Sequence, residues 1–569
     1  MSAATPAQAP GGTAAWHGVV NRYFDSVYLP YNPTAGTSAG LHQYDSKLEN
    51  YSRASIDAQT AALKEYAQKV EAFPPAGLSQ WEQGDREFLL GNIRSQILTL
   101  TAIRPWEKNP DNYSSGITNS AFTIIERPYA PAEQRLKALV AREEQMPAAL
   151  EAARQNLQNP PRVYTEIALE QLPGDISFFQ NDVPKAFAGV KDAALLEKFH
   201  RTNAAVVSAL ESYQAWMKTD LLPRSNGDFR IGAANFSAKL RDDEMVDVPL
   251  DRLLAIAYSD LHHNQEQFRK VAYSLDPSKT PMQVLAELQA DHPQPDQLIG
   301  KFQGTFNNLI QFIRERRIVT IPSDVQPTLE DTPPFMRATT FASMDTPGAY
   351  ETGSKKAYFN VTVPSMHQSA AAISDQMAAF NIGTIISTSV HEAYPGHYVQ
   401  FLYMPQIQSR VRKMLYASSN VEGWAHYCEQ MMLDEGYGQP GWGASNQREA
   451  KLIRLGQLDD ALLRDARFIA GIKMHTGQMT MEQAVNFFHD EGYQSRSVGE
   501  VETKRGTSDP TYLYYTLGKL MILKLRADMQ QKEGSAFSLD KFHDEFLRQG
   551  GVPLPIVRKA LLGNDSPAL

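Results

Sequence analysis

A chain of 569 residues with 42% hydrophobic content can bury a large core, as a single fold or as two lobes. Its net charge of -9 is spread along the chain instead of gathered in a tail, which argues against nucleic acid and anionic membranes as partners and leaves small molecules and peptides. The single cysteine, Cys428, excludes intrachain disulfides and thiolate-rich zinc sites; any metal must be held by His, Asp or Glu, and a lone Cys in an apolar helix reads as core.

Residues 1–15 are small, polar and proline-rich, and read as a flexible leader of the kind left after signal cleavage, which favours a periplasmic or secreted protein over a cytoplasmic one. No apolar run reaches the roughly 18 residues that would span a bilayer. From residue 16 to 317, apolar residues recur at three- and four-residue spacing among Ala, Leu, Glu, Gln and Lys, as in Leu136 to Leu157 and Leu195 to Leu222. This predicts a helical scaffold lobe with breaks at Phe73-Pro74-Pro75, Asn159-Pro160-Pro161 and Leu222-Pro223. Residues 318–569 are expected to form a catalytic lobe continuous with it. Within that lobe, 318–364 turn to Pro, Thr, Gly and aromatics and end in the strand candidate Tyr358 to Val363, where edge pairing could hold an extended peptide through Asn360 and Tyr358. A purely structural strand is the other reading. The predicted class is mainly α, with a small sheet near the chemistry and a deep cleft that admits short peptides.

The chemistry concentrates in the helices expected over 380–435. Gly383 to Val390 runs, half-buried, into His391-Glu392, a placement that is unfavourable unless the polar pair has a partner. Zinc is such a partner: it takes neutral imidazoles and a carboxylate, and a Glu beside the first His can accept a proton from the attacking water. In the common helical motif the second His follows four residues later, one turn along. Pro395 stands there instead, and the next His is His397, six residues on, which a straight helix would point away. Pro395 and Gly396 predict a kink or bulge that could re-aim it. Downstream, Glu422 and His426 share a helix face, with Glu429 one turn further. The favoured ligands are His391, His397 and Glu422 around one zinc per chain, with His426 as rival second nitrogen ligand and Glu429 as a carboxylate behind the ligands.

The pattern His-Glu-x-x-Pro-Gly-His followed by Glu-Gly-Trp-x-x-Tyr-x-Glu resembles the signature of the bacterial domain-of-unknown-function 885 proteins, which look like distant relatives of the gluzincin oligopeptidases and carboxypeptidase Taq. Further blocks carry the resemblance: Gly40 to Asp45, Pro333 to Phe341, Ala357 to Thr362 and Tyr515 to Lys519. It implies a helical, cleft-bearing metallopeptidase-like fold, with His391, His397 and Glu422 as ligands and Glu392 as general base. Where family members often carry Asp, this chain has Gly471, which removes an expected support of His475. Tyr515 and His475 are candidates to stabilise an oxyanion, although aromatics in a helical run also pack as core. Arg505 is a candidate anchor for a substrate carboxylate, with Arg337, Arg467, Lys504 and Lys519 as others. The expected function is a zinc-dependent metallohydrolase acting on short peptides. Its rivals are a metal-free binding protein that keeps the fold, and a serine hydrolase using Ser38 in Gly36-Thr37-Ser38-Ala39-Gly40, which lacks the preceding strand such an elbow needs.

Overall fold

Local chemistry sets many helix ends before packing acts on them. Ser79 and Thr280 close capping boxes with Glu82 and Gln283, while Asn381 and Asn446 accept hydrogen bonds from the first free backbone N–H groups of the helices they open. The computed structural model describes residues 10–337, 340–365 and 368–569. It is 70% helical, so the mainly α class holds. Of the expected leader, residues 1–9 lie outside the described residues and the rest opens the helix Pro10–Tyr23. Ala338 and Thr339, inside one of the family blocks, also lie outside them. The prolines at 74–75 and 160–161 fall between helices, but the break expected at Leu222-Pro223 does not occur: helical backbone runs on from Ala193 through Arg224, with Pro223 in the first turn of its last segment, where a missing N–H is tolerated.

Two large cores and one smaller cluster organise the described residues. Helices Asp111–Ile125 (α1), Arg162–Ser177 (α2) and Ala193–Trp216 (α3) bury Ile117, Leu172, Phe199 and Leu210 in one of the large cores. A larger core joins Trp16, Phe24 and Leu89 near the start to helices Leu250–Leu275 (α4) and Leu298–Glu315 (α5), and to Val390, Trp424 and Leu517 far along the chain. Each such large apolar side chain contributes about 1.5–3 kcal/mol when withdrawn from water. The helices that carry the site thus share one continuous core with the first hundred residues.

Strands Thr328–Asp331 (β1), Ala342–Asp345 (β2) and Tyr358–Val361 (β3) form a sheet in the order β1-β3-β2, with β1 parallel and β2 antiparallel to β3. Phe359 anchors it on α5, its ring 5.4 Å from Phe302 and 6.1 Å from Phe306. The strand expected to offer a free edge is therefore the central one. Tyr358 is paired with Thr328 on one side and Asp345 on the other, so β3 has no edge for a peptide; β2 has one. Ser38 closes a short helix, Pro33–Ser38, that follows another helical turn, so the strand-to-helix elbow of a serine hydrolase is absent there. Among the described residues, no helix is long and apolar enough to cross a membrane.

The site is built on helices Ile382–Glu392 (α6), His397–Tyr403 (α7), Ser418–Asp434 (α8), Gln447–His475 (α9), Arg496–Ser508 (α10) and Tyr514–Glu533 (α11). Two crossings bring backbones into contact. A Cβ on Gly518 of α11 would lie 1.9 Å from the Ser419 carbonyl oxygen of α8, and one on Gly383 of α6 would lie 2.7 Å from Gly456 Cα of α9. Only glycine allows helices this close, and the closeness fixes where α6 and α8 hold their polar ends.

Candidate metal centre

Asn381 caps α6 by accepting from Gly383 N–H at 3.0 Å and Thr384 N–H at 3.1 Å, and the helix runs to Glu392, where the chain turns through a cis Tyr394-Pro395 peptide before α7 begins at His397. The expected kink is thus a complete break between two helices. Gly396 makes it possible: a Cβ there would sit 1.7 Å from the His391 carbonyl oxygen. Trp424 of α8 steadies the turn by donating from its indole N–H to the Pro395 carbonyl at 3.0 Å.

The break brings the two imidazoles together, with ring centroids 4.8 Å apart and planes at 89°. Glu422 Oε2 lies 3.5 Å from His391 Nε2 and 3.4 Å from His397 Nε2. Ligating atoms of the three residues lie within 4.8 Å of one another, a spacing one ion can bridge. Behind them, His391 donates from Nδ1 to Glu429 Oε1 at 2.6 Å, which leaves its Nε2 lone pair for a metal. Glu429 also meets Ser387 Oγ at 3.2 Å, His426 Nδ1 at 3.2 Å and Arg464 at 3.2 Å. Two imidazoles and a carboxylate facing one point form a donor set that fits zinc, and the buried Nδ1 of His397 has no hydrogen-bond partner among the described residues, so none of them dictates that ring's tautomer.

Electrostatics agree with that grouping. Burial alone would depress the His391 imidazole, but Glu422 and Glu429 overcome it and push it up to about 9. Burial would raise Glu422, yet His397 and His391 hold its carboxyl well below the usual range. His426 is fully buried behind Glu429, and burial drops it to about 3, so it is a neutral ring set back from the three clustered residues. Glu392 borders the same space and accepts no hydrogen bond from the described residues, so its carboxylate faces the cleft unengaged by them.

The cleft above these residues has a volume of about 840 Å³. His391, Glu392, His397 and Glu422 form part of its lining, as do Tyr515 of α11 and Arg505 of α10; Ala342 to Met344 of β2 border it, and Asp111 of α1 with Tyr164 and Glu170 of α2 face them. Tyr515 lies with its ring centroid 6.4 Å from that of His391, and its hydroxyl accepts from Arg505 Nη2 at 2.9 Å.

Three expected site residues lie elsewhere. His475 is fully buried: Ile231 N–H donates to its Nδ1 at 3.4 Å and its Nε2 meets the Gly506 carbonyl at 2.7 Å, so both nitrogens serve the backbone. Gly471 nearby makes room for Tyr512, whose ring carbon would be 2.9 Å from a Cβ there. Asn360 is buried in β3 and donates to Ser343 Oγ at 3.3 Å, and Tyr358 lies beside Arg127; neither borders the cleft. Conversely, Arg464 and Asp460 line it and were not singled out in the sequence. Their signal is the run Asp459-Asp460 and Arg464-Arg467 within a helix otherwise fit for burial.

No curated protein matches the chain. A solved structure described as a "putative lipoprotein of unknown function" from Shewanella oneidensis is similar at 26% identity and a TM-score of 0.77, covering 96% of this chain and 99% of that one. A "putative lipoprotein" from Colwellia psychrerythraea shares the fold at 17% identity and a TM-score of 0.78, covering 96% and 98%. The model of a family of bacterial proteins of unknown function, DUF885, matches residues 33–561, and the chain belongs to that family.

Proposed function

We propose that this protein is a zinc-dependent hydrolase that cleaves amide bonds of short peptides. The observation that carries the reading is the convergence of His391, His397 and Glu422 within 4.8 Å, with the unengaged Glu392 beside them on the cleft. Zinc held by this set would supply Lewis-acid polarisation of a scissile carbonyl and a lowered pKa for water. Glu392 takes the proton from the attacking water and returns it to the leaving nitrogen. Glu429 keeps the proton on His391 Nδ1, and so keeps Nε2 a ligand. The Tyr515 hydroxyl accepts from Arg505, which directs its own proton outward to a developing oxyanion. The free edge of β2 offers main-chain groups to an extended peptide, the role first expected of β3. The lipoprotein description of the Shewanella chain agrees with a location outside the cytoplasm.

Metal analysis of protein purified without a histidine tag tests the reading directly. About one zinc per chain is expected, lost in His391→Ala, and Glu392→Gln should keep the zinc while lowering peptide turnover roughly 10²–10⁴-fold. Absence of zinc, or turnover unchanged in Glu392→Gln, rejects the assignment.

A further inference from the structure

We infer that Arg505 reads a substrate's terminal carboxylate, so that the peptides taken have a free C-terminus close to the bond that is cut; the inference rests on the hydrolase reading above. Three guanidinium groups surround Tyr515, with carbons 5.0 Å (Arg467), 5.7 Å (Arg505) and 5.8 Å (Arg464) from its ring centroid. Two are engaged by protein. Arg467 gives Nε and Nη2 to the Glu502 carboxylate at 2.6 and 2.7 Å. Arg464 donates to the Asp460 carbonyl at 2.9 Å and pairs with Glu429 at 3.2 Å.

Arg505 differs. One of its nitrogens donates to the Tyr515 hydroxyl, and its nearest carboxylate, Asp509, stands 3.6 Å off, beyond hydrogen-bonding distance, while accepting from the Tyr514 hydroxyl at 2.7 Å. The remaining N–H groups of its planar fork have no acceptor among the described residues, and the side chain is 28% exposed on the cleft. An aimed guanidinium with free donors is matched in shape and charge by a carboxylate, which it can bind through two parallel hydrogen bonds.

The spacing limits which carboxylate. Tyr515 neighbours both centres, its ring 6.4 Å from the His391 ring and 5.7 Å from the Arg505 guanidinium, which bounds how far apart the two can stand. An extended residue covers roughly 3.3–3.6 Å, so a carboxylate on Arg505 places a bond roughly one to three residues upstream beside Glu392. A terminal carboxylate held there would make the enzyme release short C-terminal fragments.

Pairs of short N-acetylated peptides, identical except for a free acid or an amide at the C-terminus, test this by calorimetry on full-length, zinc-loaded Glu392→Gln protein. The free acid should bind roughly ten- to a hundredfold more tightly. The gap should collapse when Arg505→Gln is added and partly return with Arg505→Lys. Tyr515→Phe, which keeps the charge and removes the hydrogen bond that aims it, should narrow the gap severalfold, and serves if Arg505→Gln melts early. Equal binding of acid and amide, binding of neither, or a gap that survives Arg505→Gln overturns the inference. So does a preference of amidated peptides for Glu over Gln without any preference for the free acid, which would point to a side-chain carboxylate. Discrimination in binding without hydrolysis of either peptide by zinc-loaded wild type keeps the anchor and rejects the peptidase reading.

Discussion

Asp175 on α2 is fully buried, and burial, reinforced by Asp111 and only partly offset by the Thr118 and Ser114 hydroxyls, pushes its carboxyl from 3.8 to about 8. The folded chain therefore keeps a proton that the unfolded chain releases near pH 4. Stability from this group is complete below the unfolded value and falls as pH rises toward 8, by up to about 1.4 kcal/mol per pH unit. Asp175→Asn should raise the melting temperature increasingly between pH 5 and pH 8; a shift of the same size at every pH would show that the proton is not the cause. At this scale the sequence was informative where residue type and short spacing carry the chemistry. His391, Glu392 and Glu422 could be picked out because polar residues stood in half-apolar helices, and Pro395-Gly396 marked the break that brings His397 back. His475 and Asn360 could not be placed, because what disqualifies them is remote: the Ile231 N–H and Gly506 carbonyl hold one, and strand β2 covers the other.

Among the elements, the crossing of α8 and α11 controls where Glu422 stands. Gly518→Ala would drive a methyl group to 1.9 Å from the Ser419 carbonyl, three residues before Glu422, and α8 must shift to admit it. The expected result is roughly 1–3 kcal/mol of lost stability together with weaker zinc binding, measured by thermal melting and competition with a chelator. A variant that melts and binds zinc like wild type would show that the crossing tolerates separation. Helices were legible because their apolar spacing is local. Strand β3 was legible as a strand for the same reason, through its aromatic and β-branched residues, but its central position was not. That position depends on β1 and β2 arriving from 328–331 and 342–345, and pairing order leaves no trace in a single strand.

For the molecule as a whole, a metal that binds only the folded chain must add to its stability. At a free zinc concentration about 100 times the dissociation constant, the gain is about 2.7 kcal/mol. A chelator should therefore lower the melting temperature of wild type, zinc should restore it, and His391→Ala should respond to neither; equal chelator sensitivity in that variant would place the metal elsewhere. The mainly α class and family membership were readable from helical periodicity and the two motifs. The division into two large cores was not, since residues such as Trp16 and Leu517 share one across the length of the chain. The cleft runs between those cores, with α1 and α2 on one wall and the site helices on the other, and Lys504 of α10 reaches Glu170 of α2 at 2.7 Å. On the proposed reading, a peptide lying there would be a strut braced against both walls. Occupancy should then stiffen the molecule as a unit, and release of product amounts to removing the brace that its own binding installed.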